Sequence, residues 1–245
     1  MMEPHSIFEL FIWFIIYSFL GWLWEEIICS IQARKLVSRG FMSGPYCPIY
    51  GTGALLYLIL MHFTTRPVEL FFLGGILACT LEYITSYLME KLFKARWWDY
   101  SKKLLNINGR VCLIGFIAFG TFAVAFPYIH AFVGSVTAKI PGFIVVIAAL
   151  TLACAMLGDL ITTVLSVLKL NKALANYEKA LEKHKLVQLI RHSKKNFELQ
   201  IGEMRKNRQK VLSYHQRRLI NAFPNLQSRY ENAYKDFKKT LEKKK

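Results

Sequence analysis

The sequence predicts an all-α polytopic membrane protein with about five transmembrane helices and a helical cytoplasmic extension at its C-terminal side. Three observations lead there. Of the 245 residues, 54% are hydrophobic, and the mean hydropathy is +0.29. The apolar residues gather into five stretches near the ~20 residues that a helix needs to cross a hydrocarbon layer of about 30 Å. The charge is unevenly divided: residues 1–168 hold 11 Lys+Arg and 9 Asp+Glu, a net of +2, whereas residues 169–245 hold 21 and 7, a net of +14. One soluble domain is rarely both so apolar and so basic. The chain therefore divides into a transmembrane domain, 1–168, and a basic amphipathic tail, 169–245.

The spans are expected at about 7–31, 46–63, 70–93, 111–131 and 142–168. The first lacks a basic leader and is too long for a cleaved signal peptide. The second has Pro45 and Pro48 at its start and contains Gly51 and Gly53. It reads as a full span, with a re-entrant segment as the alternative. The Lys/Arg count in successive connections, starting before the first span, alternates 0, 3, 1, 6, 1 and 21. By the positive-inside rule, the N-terminus is outside and the C-terminus cytoplasmic.

An internal repeat is visible. At a shift of 57, Ser18 falls on Gly75, Gly21 on Ala78, Glu25 on Glu82, Cys29 on Ser86 and Arg39 on Arg96. At a shift of 65, Gly44 falls on Gly109, Cys47 on Cys112 and Ile49 on Ile114. The unit is a helix hairpin, duplicated in parallel, with the fifth span and the tail as additions. On the third span, Gly75, Cys79, Glu82 and Ser86 share one small, polar helical face; Ser18, Gly21, Glu25 and Cys29 make its counterpart. Such faces allow close helix approach, and a carboxyl among them is expected to point into the bundle.

Ionisable groups inside a span are functional candidates by default. These are Glu25, Glu82 and Asp159, set against a structural alternative in which each only ties helices together. The third connection, ARWWDYSKKLLNINGRVCL, places Trp97 and Trp98 at an interface and adds Arg96, Asp99, Ser101, Asn106, Asn108 and Arg110. Arg110 is suited to a phosphate or carboxylate, to Glu25 or Glu82, or to a lipid phosphate. With Arg39, these residues define a candidate polar cavity open to the cytoplasm. The five cysteines and six histidines show no metal-ligand spacing, so no metal or cofactor is expected. There is no GxxxxGK[ST] loop, GxSxG elbow or HExxH, and so no complete catalytic motif and no ATP site.

The GWLWE of the first span, SGPYCPIYGTG entering the second, LEYITSY of the third and WWDYS…NINGRVCL together resemble a bacterial family of small membrane proteins classed as ABC-transporter permeases. The resemblance covers about residues 10–165 and leaves out the tail. It implies a permease-like protein in a bacterial cytoplasmic membrane, and it implies a catalytic role for no residue.

In the tail, Leu170, Leu174, Tyr177 and Leu181 follow helical spacing, as do positions from Phe197 to Leu219. Pro224 breaks the pattern, and Leu226, Tyr230, Ala233, Phe237 and Leu241 form a last helix. The seams suit coiled-coil packing within the tail or on a partner subunit. The charge suits anionic lipid headgroups or an acidic partner. Nucleic acid is not favoured, because no recognised motif accompanies it.

Three functions fit. The first is a transporter component, moving a small solute at the repeat interface with a separate ATPase or an ion gradient, and dimeric because five spans are few. The second is a membrane enzyme acting on a lipid-linked substrate at the cytoplasmic face. The third is a scaffold or regulator that recruits partners through the tail. The family resemblance favours the first.

Overall fold

A computed structural model describes residues 6–34, 40–93 and 96–190. Five helices follow in order: α1 (Ile7–Ala33), α2 (Pro48–Phe63), α3 (Pro67–Phe93), α4 (Leu113–Thr137) and α5 (Gly142–Ile190). Four of them are long and apolar enough to cross a membrane, and α2 is the exception at 16 residues. At 1.5 Å per residue it spans about 24 Å, short of a full hydrocarbon layer. Its start is set by Pro48, which occupies the first turn, where a missing N–H costs nothing. At the other end of the chain, α5 continues without a break through position 168, so the change from apolar to basic composition occurs within one helix. Positions 191–245, which include Pro224 and the expected last helix, lie outside the described residues, as do Arg39, Lys35 and Lys94.

Local sequence accounts for the ends. Ser6 caps α1, its hydroxyl accepting from the Glu9 amide at 3.2 Å. Arg34 closes α1 in a left-handed conformation, φ 50°. Cys47 and Cys112 stand immediately before α2 and α4 in extended conformations, and neither side chain makes a capping bond. Helices α2 and α4 thus start at Pro48 and Leu113, at the same shift of 65 that aligns the two copies in sequence.

Packing follows the repeat. Helices α1 and α2 form one hairpin, α3 and α4 a second, and α2 lies against α3 to join them. Corresponding positions meet in both. A side chain on Gly51 of α2 would collide with Ser18 of α1 and with the Phe14 carbonyl oxygen, 2.5 Å from the Cβ position. In the second hairpin the small residue lies on the other helix: a Cβ on Gly75 of α3 would meet the Phe116 ring of α4 at 2.7 Å. The core contains Trp13, Tyr17, Tyr57, Leu70, Ala123 and Phe126. Its polar atoms are paired: Trp13 Nε1 donates to Thr137 Oγ1 at 3.0 Å, and the Tyr17 hydroxyl bonds His130 Nδ1 at 2.9 Å. In hydrocarbon such groups have no water to turn to. Helix α5 packs mainly on α1 and keeps Ile144, Ile147, Leu157, Ile161 and Leu165 exposed, as a lipid-facing helix does.

Gly51→Ala is expected to lower stability by about 1–3 kcal/mol, because the clash is with a backbone carbonyl. Gly158→Ala on α5, where nothing lies within 4 Å, is expected to be neutral or slightly stabilising. Thermal unfolding of both variants in detergent checks the contrast.

Candidate functional site

Near the ends of α1 and α3, the two copies present similar constellations. Glu25 Oε1 accepts from the Tyr50 hydroxyl at 3.1 Å, and Glu82 Oε1 accepts from the Tyr100 hydroxyl at 3.1 Å. Each carboxyl lies beside the start of the second helix of its own hairpin: Glu25 within electrostatic range of Cys47 and Tyr50, Glu82 beside Gly115, with Tyr100 near Cys112. The two carboxyls are also close enough for their charges to interact. Glu25 is half-buried, whereas Glu82 is buried, with 8% of its surface exposed. Tyr100 arrives from the third connection. Burial pushes its hydroxyl well above the usual tyrosine range, and the Glu82 charge adds to this, so it stays a donor at physiological pH.

The loop that delivers Tyr100 is closed by its own sequence. Asn108 and Gly109 both have positive φ, 53° and 67°, and the Arg110 amide donates to the Ile107 carbonyl at 3.0 Å. This is the Asn-Gly turn with two left-handed central residues. Gly109 is needed twice over, since a Cβ there would also stand 2.6 Å from Asp99 Oδ1. Asn106 ties the loop internally, donating to the Ser101 and Lys103 carbonyls at 3.1 and 2.9 Å and accepting from the Gly109 amide at 3.1 Å. Asn108 donates to the Tyr83 hydroxyl at 2.9 Å, fastening the loop to α3. Asp99 Oδ1 accepts from the Ser101 hydroxyl and amide and from Arg96. These bonds, the Ser101 hydroxyl foremost, hold its carboxyl below the usual aspartate range.

The arginines serve a different acid from the two expected. Arg110 Nη2 lies 2.8 Å from Glu90 Oε2, its Nη1 donates to Ser86 Oγ at 3.1 Å, and its guanidinium lies over the Tyr83 and Tyr87 rings. Arg96 Nε lies 3.3 Å from the same Glu90 oxygen. Glu90 was not among the sequence candidates. The signal that reveals it is its spacing, since Glu82, Ser86 and Glu90 recur every four residues along one face of α3.

Asp159 is also committed. Its carboxylate accepts from the Ser43 and Gly44 amides at 3.1 and 2.8 Å, the Tyr46 hydroxyl at 2.8 Å and Thr163 Oγ1 at 3.2 Å. It pins the turn before α2 to α5. Of the ten candidates, then, Glu25 and Glu82 converge. Arg96, Asp99, Ser101, Asn106, Asn108 and Arg110 form the adjoining loop and its anchor. Asp159 holds a separate turn, and Arg39 lies outside the described residues. Tyr50, which sequence reasoning did not select, and Tyr100 of the polar third connection complete the two carboxyl sites. Beyond Cys112, an open apolar groove of about 430 Å³ lies between α3 and the loop, lined by Ile76, Thr80, Ile84, Leu105, Ile107 and Phe116.

Residues 12–164 match the family model described as "Putative ABC-transporter type IV". The match covers more than half of the chain. The chain belongs to this family. It is a multi-pass membrane protein of transporter type, and its constellation of Glu25 and Glu82 lies within the family's matched region. No curated protein and no solved structure matches the chain.

Glu90→Gln is expected to cost about 1–3 kcal/mol, because it leaves the largely buried Arg110 without its counter-charge. Thermal unfolding reads this, and the amides of the 96–112 loop should exchange faster. Because Asp99 titrates below its unfolded value, its contribution to loop order is present above the usual aspartate range and is lost as pH falls through the lower folded value. Asp99→Asn should remove that acid-side dependence, as followed by hydrogen exchange in the same loop.

Proposed function

We propose that this chain is the membrane-spanning component of a transporter, moving a small solute through a polar cavity open to the cytoplasm where the two hairpins meet. The observation that carries the reading is the pair of Glu–Tyr constellations, one from each copy, with carboxyls near enough for their charges to interact. Sites at the interface of repeats suit alternating access, because rocking one hairpin against the other changes the side from which a solute is reached. The chain contains no phosphate-binding loop, so ATP-driven transport requires a separate ATPase subunit; an ion gradient is the other energy source. The Lys/Arg distribution supports an N-terminus outside, with the basic tail and the Arg96–Arg110 loop on the cytoplasmic side, near anionic headgroups. A second copy of the chain would complete a body that is small for a permease. An enzyme acting on a lipid-linked phosphate is less well supported, because Arg96 and Arg110 are both engaged by Glu90.

The test is flux. The full chain is purified from its membrane with any co-purifying ATPase and reconstituted in proteoliposomes, then challenged with labelled amines, amino acids and organic acids, with ATP or with a proton gradient. Solute accumulation should fall at least ~10-fold in Glu82→Gln at equal protein incorporation. No accumulation under either energy source overturns the reading.

A further inference from the structure

The apolar groove between α3 and the 96–112 loop lies at membrane depth. Its wall on α3 runs from Ile76 to Ile84, a rise of about 12 Å, and Ile84 itself lies about 14 Å before the end of α3 at Phe93. The loop turns back along the helix to reach this level, as the bond from Asn108 to Tyr83 shows. Leu105 and Ile107 form the opposite wall. Both are exposed, as are Ile76 and Ile84. Leu105 is held at φ 48°, a left-handed conformation that a leucine adopts only at a cost. Its side chain stays 70% exposed, so little burial within the fold offsets that cost.

The shape and chemistry of the groove limit what enters it. A volume of about 430 Å³ spread along about 12 Å leaves a channel about 6–7 Å wide, narrower than the ~10–12 Å of a helix with its side chains. The hydroxyls of the lining are already engaged: Thr80 Oγ1 donates to the Ile76 carbonyl, and the Tyr83 hydroxyl accepts from Asn108. A single hydrocarbon chain meets both conditions. Beside the groove the loop carries charge that the fold leaves unused. Lys102 and Lys103 directly precede Leu104 and Leu105 and are exposed. No ion pair to either lysine occurs among the described residues, whereas Arg96 and Arg110 of the same loop are held by Glu90. Two free cations next to exposed apolar side chains suit an amphiphile with a negative head.

We propose that this groove holds one acyl chain of an anionic phospholipid from the surrounding leaflet, with Lys102 and Lys103 at its phosphate. A lipid bound there braces the loop that brings the Tyr100 hydroxyl to Glu82. The inference rests on the membrane setting and not on the transport reading.

Delipidated full-length protein in detergent is titrated with dioleoylphosphatidylglycerol, with dioleoylphosphatidylcholine and with glycerol phosphate at the same ionic strength, and thermal unfolding is followed by tryptophan fluorescence. Phosphatidylglycerol is expected to raise the unfolding temperature saturably, with an apparent affinity at least ~10-fold above that of phosphatidylcholine, the scale of two lysines at an anionic head. Glycerol phosphate, which has no chain, should not protect. Lys102→Gln combined with Lys103→Gln, both at exposed positions, should bring the two lipids to within ~3-fold of each other. Lys139→Gln, an exposed lysine between α4 and α5, should leave the preference intact. Thr80→Trp, exposed on the groove wall, fills the groove and should weaken both lipids at least ~10-fold. The surface lysine variants keep the test open even if Thr80→Trp proves too unstable to assay. The proposal is overturned if the unaltered protein does not discriminate between the lipids or if glycerol phosphate protects as well as phosphatidylglycerol. It is also overturned if the double lysine variant keeps the preference, if Lys139→Gln loses it equally, or if Thr80→Trp leaves lipid affinity unchanged. A Thr80→Trp protein with unchanged lipid affinity but lost self-association would assign the groove to a second copy of the chain instead.

Discussion

The bond of Glu90 to Arg110, with Ser86 one turn away, fastens the 96–112 loop to α3, and the geometry of the candidate site follows from it. A helix in hydrocarbon cannot leave a carboxylate or a guanidinium facing lipid without a cost of several kcal/mol. The polar stripe of α3, Glu82, Ser86 and Glu90, must therefore be covered by protein. The loop supplies the cover. Arg110 satisfies the last two positions, Asn108 holds Tyr83, and the part of the loop before them places the Tyr100 hydroxyl on Glu82. The loop is rigid enough to do so because its Asn-Gly turn and the Asn106 bonds close it independently of the helices.

The duplication explains why a second carboxyl faces the first. Each copy places its acid near the start of its own second helix, and both second helices begin directly after a cysteine in extended conformation. The copies then diverge in how they cover that acid. In the first, the tyrosine lies within the short second helix, at Tyr50, and the preceding turn is pinned to α5 through Asp159. In the second, the tyrosine comes from the longer loop. The eight-residue insertion that interrupts the sequence repeat is therefore part of what separates a half-buried Glu25 from a buried Glu82. Pseudo-symmetry places the groups, and the asymmetry makes their environments unequal.

Much of this was legible in the residues. Hydropathy and length marked the long spans, whereas the second stretch, read as a full span, is a helix of 16 residues that starts at Pro48. The pairing of Glu25 with Glu82 was visible because intramembrane acids are rare and their spacing repeats. The roles of the arginines and of Asp159 were not legible. An arginine near two acids on the same helix face pairs with the one that the loop's path brings within reach, and that path depends on a turn more than ten residues long. The partners of Asp159 are the Ser43 and Gly44 amides, which donate to its carboxylate from a turn over a hundred residues earlier.

The sequence by itself determined the fold class, the membrane setting, the hairpin duplication and the two acids, Glu25 and Glu82, whose charges the fold brings within range of each other. All of these follow from local composition and spacing, because a helix in lipid must satisfy its backbone internally and display a consistent apolar surface. The tertiary structure alone decided which charges are spent and which remain. Arg96, Arg110 and Asp159 are used up in holding loops, whereas Glu82 retains an oxygen without a partner. That distinction depends on a few ångströms between residues distant in the chain, which no periodicity records.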